Sequence, residues 1–107
     1  MDLATIYETL KLLGYRWTLE ILASLAESPK RFNELQRDVG NYSSKTHTEA
    51  LNRLAEHGFI LHPSDGDGIH YTLTPLGKFV LPALDALVKG MREWEDKRTS
   101  GDHSHQP

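Results

Sequence analysis

Cysteine is absent from this 107-residue chain. That excludes a disulfide framework, a thiolate nucleophile and any cysteine-based zinc or redox centre. Positive charge is not in excess either: 12 Lys and Arg face 15 Asp and Glu, a formal net charge of −3. The chain is therefore not a globally basic polymer binder, and only local clustering of charge can matter. No apolar run approaches the roughly 20 residues of a membrane span. The stretch MDLATIYETLKLLGYRW is interrupted by Asp2, Glu8, Lys11 and Arg16 and lacks the basic-then-apolar order of a signal peptide. The expectation is a cytoplasmic protein with no membrane partner. No Gly-rich phosphate loop or Ser-His-Asp set occurs. Glu93, Glu95 and Asp96 form a charge run rather than a paired acid and base in a cleft, so an enzyme is not expected. His62 and His70 have no third ligand beside them, and neither do His103 and His105; zinc sites need at least three protein ligands, so neither metal nor cofactor is expected.

What is present is helical periodicity in a chain the length of one domain. Asp2 caps a first helix whose stripe is Leu3, Ile6, Tyr7, Leu10 and Leu13, closed by Gly14. A second runs from Trp17 or Thr18 to Glu27, with Trp17, Ile21, Leu22, Leu25 and Ala26 inward, and Ser28-Pro29 breaks it. A short third helix turns Phe32, Leu35 and Val39 inward. Gly40-Asn41-Tyr42 is turn chemistry. A fourth helix is capped by Ser43 and closed at Gly58, with Ala50, Leu51, Leu54 and Ala55 as its apolar stripe. Phe59–His62 and Ile69–Leu73 then flank a Gly- and Asp-rich turn as a β-hairpin. Thr74-Pro75 opens a long helix to about Lys97, interrupted by Pro82, where a kink is expected. Residues 1–98 form one domain, and 99–107 read as a disordered polar tail. The fold class is mainly α with a small β-hairpin wing. The third and fourth helices, joined by a Gly-containing turn and followed by a hairpin, make a winged helix-turn-helix.

Arg16-Trp17-Thr18 with Ile21-Leu22, Pro29-Lys30-Arg31-Phe32-Asn33-Glu34-Leu35, Ser43-x-Lys45 and Leu51-x-x-Leu54 follow one another in order. Gly58-Phe59-Ile60, Tyr71-Thr72-Leu73-Thr74-Pro75-Leu76-Gly77 and Leu81-Pro82-Ala83-Leu84-Asp85-Ala86-Leu87 continue the series. In this order and spacing, over about residues 5–95, the chain resembles the HxlR family of bacterial winged-helix transcriptional regulators, which are related to the MarR-like regulators. The resemblance implies a homodimer joined mainly through the first and last helices. It also implies DNA binding, by the Ser43–Gly58 helix in the major groove and by the hairpin near the minor groove or backbone. Three departures stand out. The sensing cysteine that many relatives carry near the N-terminus is missing, so thiol sensing does not carry over. Ser44, Thr46, His47 and Ala50 occupy places where relatives often have proline, bulky apolar and basic residues. The wing, His62 to His70, is short and acidic where relatives have a longer basic one.

The first turns of the fourth helix, Ser44 to Thr48, hold no apolar residue, and a DNA-reading helix points its N-terminal end at base edges. Lys45 is a donor for guanine or phosphate, while Thr46, His47 and Thr48 are expected to face bases. Ser43 and Ser44, with the free N–H groups of the first turn, suit a phosphate. Residues 28–54 contain Lys30, Arg31, Arg37, Lys45 and Arg53 against Glu34, Asp38 and Glu49, a net +2 that leaves −5 for the rest. Arg31 and Arg53 are the best phosphate candidates. Asp65 and Asp67 make the wing tip a poor phosphate contact, and His62 and His70, paired across the hairpin, would flank the backbone instead. Leu3, Ile6, Tyr7 and Leu10 with Phe79, Val80, Leu84, Leu87, Val88, Met91 and Trp94 exceed what a small core needs and are expected to form an isologous dimer interface. Trp17, Tyr7, Tyr15, Phe79 and Trp94 are candidates to hold a small aromatic effector, with plain core packing as the other reading. The expected partners are double-stranded DNA on a palindromic operator and a second copy. The alternative is a protein-interaction module with weak or lost DNA binding, which the acidic wing and Ala50 would favour.

Overall fold

The computed structural model describes the backbone of residues 1–105 and the side chains of residues 1–99. Five helices and one hairpin follow one another: α1 (Leu3–Leu13), α2 (Thr18–Glu27), α3 (Phe32–Val39), α4 (Ser44–Glu56), β1 (Ile60–Leu61), β2 (Thr72–Leu73) and α5 (Pro75–His105). Several boundaries have a local chemical cause. The Asp2 carboxylate accepts from the Thr5 N–H at the start of α1, and Ser43 Oγ accepts from the Thr46 N–H at the start of α4. Gly58 takes φ +81 immediately beyond α4, a conformation that L side chains rarely adopt. Thr74 Oγ1 accepts from the Gly77 N–H in the first turn of α5, and its own hydroxyl donates to the Gly58 carbonyl, tying the two ends together.

The hairpin is shorter than the expected Ile69–Leu73 strand. Only Ile60 with Leu73 and Leu61 with Thr72 pair, antiparallel. Tyr71 pairs beyond them with Lys30, its N–H donating to the Lys30 carbonyl at 2.8 Å, which fastens the wing to the α2–α3 connection. Pro63–Asp65 forms a single 3-10 turn in the loop between the strands. The helix α5 continues past Lys97, so residues 99–107, assigned above to a tail, overlap its last turns. Gln106 and Pro107 lie outside the described residues.

The core joins Leu12, Ile21, Leu22, Leu25, Leu35, Ala50, Leu51, Leu54, Phe59, Ile60 and Val80. Helix α2 packs on both α3 and α5, so the helix-turn-helix is carried on the long helix through α2. Ala26 is exposed rather than inward, and Trp17 is not on the inner face of α2. It sits ahead of the helix at φ 75 with its ring on Tyr42, 4.5 Å between centroids, and against Gly40. In α1, Leu3, Ile6, Tyr7 and Leu10 are all exposed, and only Leu12 is buried.

Gly77 marks the tightest approach in the fold. A Cβ there would stand 2.0 Å from the Phe59 carbonyl oxygen, whereas one at Gly90 would meet nothing within 4 Å. Gly77→Ala should therefore lower unfolding stability by about 3 kcal/mol or more. Gly90→Ala, inside α5, should raise it by about 0.5–1 kcal/mol. Urea unfolding of the two variants beside the parent chain checks both signs.

Candidate nucleic-acid interface

The position of each side chain on α4 follows from one buried histidine. His47, Ala50, Leu51 and Leu54 are the buried residues of this helix, at spacings of three, one and three. At about 100° per residue they form one stripe. His47 is completely buried. The Phe32 carbonyl can only accept, so the nitrogen facing it, Nε2 at 3.0 Å, carries the proton. Nδ1 is then the acceptor for the Tyr42 hydroxyl, which donates to it in a short contact. Phe32 packs edge-on to the imidazole at 4.4 Å. Burial holds the His47 pKa below its ordinary value, against the smaller raising effect of the Phe32 hydrogen bond. Burial, with the Glu20 carboxylate nearby, lifts the Tyr42 phenol to about 12. Both groups are neutral at pH 7, and both polar atoms of the imidazole are satisfied.

This corrects the assignment of His47 to DNA contact: it is a structural bridge from the N-terminal turn of α3 to the α3–α4 turn. The signal was present in the spacing, because position 47 lies one turn before Ala50 and Leu51 on their own stripe. Its polarity masked that register. Ala50, at 1% exposure, is likewise a core residue, so its lack of charge says nothing about the surface. Opposite the buried stripe lie Lys45, Glu49, Asn52 and Glu56, at i, i+4, i+7 and i+11, flanked by Ser44 and Thr48; all six are exposed. Glu49 and Asn52 are the residues that the linear reading missed.

Ser43, Ser44, Lys45, Thr46 and Thr48 are brought together at the exposed N-terminal end of α4. Ser44 Oγ also receives a 3.3 Å hydrogen bond from Gln36 Nε2 of α3. Arg31 is exposed where α3 begins, its backbone N–H bonded to Glu34. Lys30 does not join this group: its ammonium donates to the Ser24 carbonyl at 2.5 Å and lies 3.5 Å from Asp38. Arg53 is half-buried, its guanidinium 4.1 Å above the Tyr15 ring, and its Nε is buried without a partner. Tyr15 and Trp17 are thereby placed against α4 and the α3–α4 turn, by Arg53 and Tyr42 respectively, so they do not form one aromatic pocket with Tyr7, Phe79 and Trp94.

In the wing, His62 faces Tyr71, at 5.6 Å, rather than His70. The register explains this: continuing Ile60–Leu73 and Leu61–Thr72 places residue 62 opposite residue 71. His70 instead bonds Asp67 at 2.7 Å, and Asp67 also accepts from the Ile69 and His70 N–H groups. Those bonds depress the Asp67 carboxyl to about 2. Its oxygens are engaged in holding the turn, and both Asp65 and Asp67 remain exposed at the tip.

On the opposite side, Leu3, Ile6, Tyr7, Leu10, Phe79, Leu87, Val88, Met91 and Trp94 are 39 to 67% exposed. Val80 is corrected: at 6% exposure it belongs to the chain's own core, against which Leu84 also packs, so neither is a free interface residue. An open apolar groove of about 650 Å³ runs between α1 and α5, lined among others by Thr5, Glu8, Leu12, Phe59 and Phe79. No group of three or more His, Asp or Glu that could hold a metal occurs among the described residues. Nor is any helix among them long and apolar enough to cross a membrane.

A model of the HxlR-like helix-turn-helix family matches residues 12–99. The uncharacterised HTH-type transcriptional regulator YtfH of Escherichia coli is 37% identical over 84 residues, covering 76% of this chain and 67% of that protein. The HTH-type transcriptional regulator YodB of Bacillus subtilis is 33% identical over 89 residues, covering 80% and 76%. The crystal structure of quinone-bound YodB superposes with a TM-score of 0.65 at 30% identity, covering 87% of this chain and 96% of that one. A regulator assigned to the MarR family, from Porphyromonas gingivalis W83, gives 0.66 at 29% identity, covering 85% and 93%.

The buried imidazole sets a pH dependence of stability. Its folded pKa lies below the unfolded value, so the unfolded chain binds the proton first as pH falls. The His47 contribution is complete above about pH 6.5 and is lost progressively below it. Thermal melts from pH 8 to pH 5 should show falling Tm below about 6.5, and His47→Gln should flatten that decline. An equal decline in both proteins would contradict the assignment.

Proposed function

Because the chain belongs to the HxlR-like helix-turn-helix family of transcriptional regulators, we propose that it binds a palindromic operator as a homodimer. The single observation that supports this best is the exposed, wholly polar outer face of α4, set against a helix whose other face is locked into the core. Lys45 and the α4 N-terminus reach the major groove, and Arg31 and Ser43 take phosphates. Arg53 offers its terminal nitrogens from the Tyr15 ring to the same backbone. The wing contributes through His62 and His70 at its flanks, while the Asp65 tip stays clear of phosphate.

Dimerisation uses the exposed faces of α1 and α5. An apolar surface of that extent, with Leu87, Met91 and Trp94 each about 60% exposed, is unusual on a monomer. A two-fold axis there would set two α4 helices about one DNA turn apart, which is what a palindromic operator requires. The groove between α1 and α5 is the place for a small aromatic effector, since Trp17 and Tyr15 are committed elsewhere; the related YodB has been crystallised with quinone bound. The protein-interaction alternative draws less support than its two sequence features implied, because Ala50 is buried and Asp67 is turned into its own loop. The protein acts by occupying a promoter, from a cytoplasmic location.

Affinity for an operator duplex should fall about a thousandfold between roughly 50 and 200 mM salt. Arg31→Ala with Lys45→Ala, both at exposed positions, should abolish measurable binding by fluorescence polarisation without changing Tm. Light scattering at micromolar concentration should report a dimer; a monomer there would remove the two-fold operator from the proposal.

A further inference from the structure

The outer face of α4 carries a carboxylate where polyanion binding alone would exclude one. Glu49 is exposed, close to the middle of the stripe opposite His47, Ala50, Leu51 and Leu54. It stands one turn from a cation in each direction, Lys45 four residues before and Arg53 four residues after, the spacing at which helical ion pairs form. Yet neither pairs with it: Arg53 is drawn onto Tyr15, and no ion pair or hydrogen bond involves the Glu49 side chain among the described residues. The carboxylate is free, and the rotation that aims it outward is fixed by the burial of His47.

A free carboxylate brought into the major groove meets mostly acceptors: guanine O6 and N7, adenine N7 and thymine O4. Only the exocyclic amines of cytosine and adenine can donate to it. Opposite any other edge it would be desolvated and unpaired, beside phosphates that repel it. Resting on the DNA-binding reading of α4, we infer that Glu49 is a specificity residue that selects cytosine through its N4 amine at one position in each operator half-site. Lys45, one turn earlier on the same stripe, supplies the complementary donor to a guanine O6/N7 edge, so the pair reads a G·C-containing step. Adenine is the weaker fit, because a carboxylate satisfies its N6 amine but faces the adjacent N7 acceptor, which an amide such as that of Asn52 can satisfy together with N6. The acidic residue thus lowers affinity for DNA in general while rewarding one base.

The test is selection of bound duplexes from a random pool by the parent chain, Glu49→Gln and Glu49→Ala. Because the Glu49 side chain has no partner, both variants should keep the parent's Tm. The parent should return a half-site with cytosine at one position. Glu49→Gln should move that position toward adenine, and Glu49→Ala should become indifferent there while binding random duplex more tightly. Replacing the cytosine should weaken the parent about 10- to 100-fold and leave Glu49→Ala nearly unaffected. An unchanged base preference in both variants would overturn the role of Glu49 while leaving DNA binding intact. If the parent enriched no sequence at all, the DNA-binding reading itself would fall, and this inference with it.

Discussion

The imidazole of His47 is the constraint on which the geometry of the helix-turn-helix depends. It is completely buried and bonded on one side to the Phe32 carbonyl in the N-terminal turn of α3 and on the other to the Tyr42 hydroxyl in the turn before α4. A neutral imidazole can fill both roles only when one nitrogen donates and the other accepts, and its two partners demand that arrangement. Removing either partner would strand a buried polar atom, which is why such bridges are geometrically strict. The bridge fixes both the spacing of the two helices and the rotation of α4 about its own axis.

Aromatic packing extends the bridge in two directions. Toward the N-terminus, Tyr42 carries Trp17, which is itself the left-handed residue ahead of α2 and also lies against Gly40. Toward the wing, Phe32 approaches Tyr71 at 6.5 Å, and Tyr71 in turn meets His62. The backbone pairing of Tyr71 with Lys30 then fastens the hairpin to the start of α3. The helix-turn-helix, the α1–α2 turn and the wing are therefore one mechanical unit. The apolar faces of α1 and α5 lie outside it, free to serve assembly.

Much of this was legible in the sequence, because caps and periodicity are local. Asp2, Ser43 and Thr74 cap as their residue types predict, and Gly58 takes the positive φ that its position demands. The order of elements followed from the same signals. What escaped was anything decided by a partner distant in the chain. His47 looked like a base reader because it is polar, although its spacing from Ala50 and Leu51 placed it inside; only Phe32, 15 residues away, explains how a polar ring is tolerated there. Val80 looked like an interface residue because α5 is apolar over more than one face. Trp17 and Tyr15 looked like pocket residues because they are aromatic, but a stacking partner in the α3–α4 turn and an arginine on α4 claim them. Glu49 and Asn52 were passed over because helical phase, not composition, brings them to the surface.

The face of α4 opposite His47 is the surface that we propose to meet DNA. Titrating the labelled protein with an operator duplex while following backbone amide and histidine ring NMR signals tests it most directly. Large shifts are expected at Lys45, Thr48, Glu49 and Asn52, smaller ones at Arg31 and Ser43, and a His47 ring that stays neutral and protected from solvent exchange throughout. Shifts concentrated on the exposed residues of α1 and α5, with α4 silent, would contradict it, as would a His47 ring that loses its protection on binding.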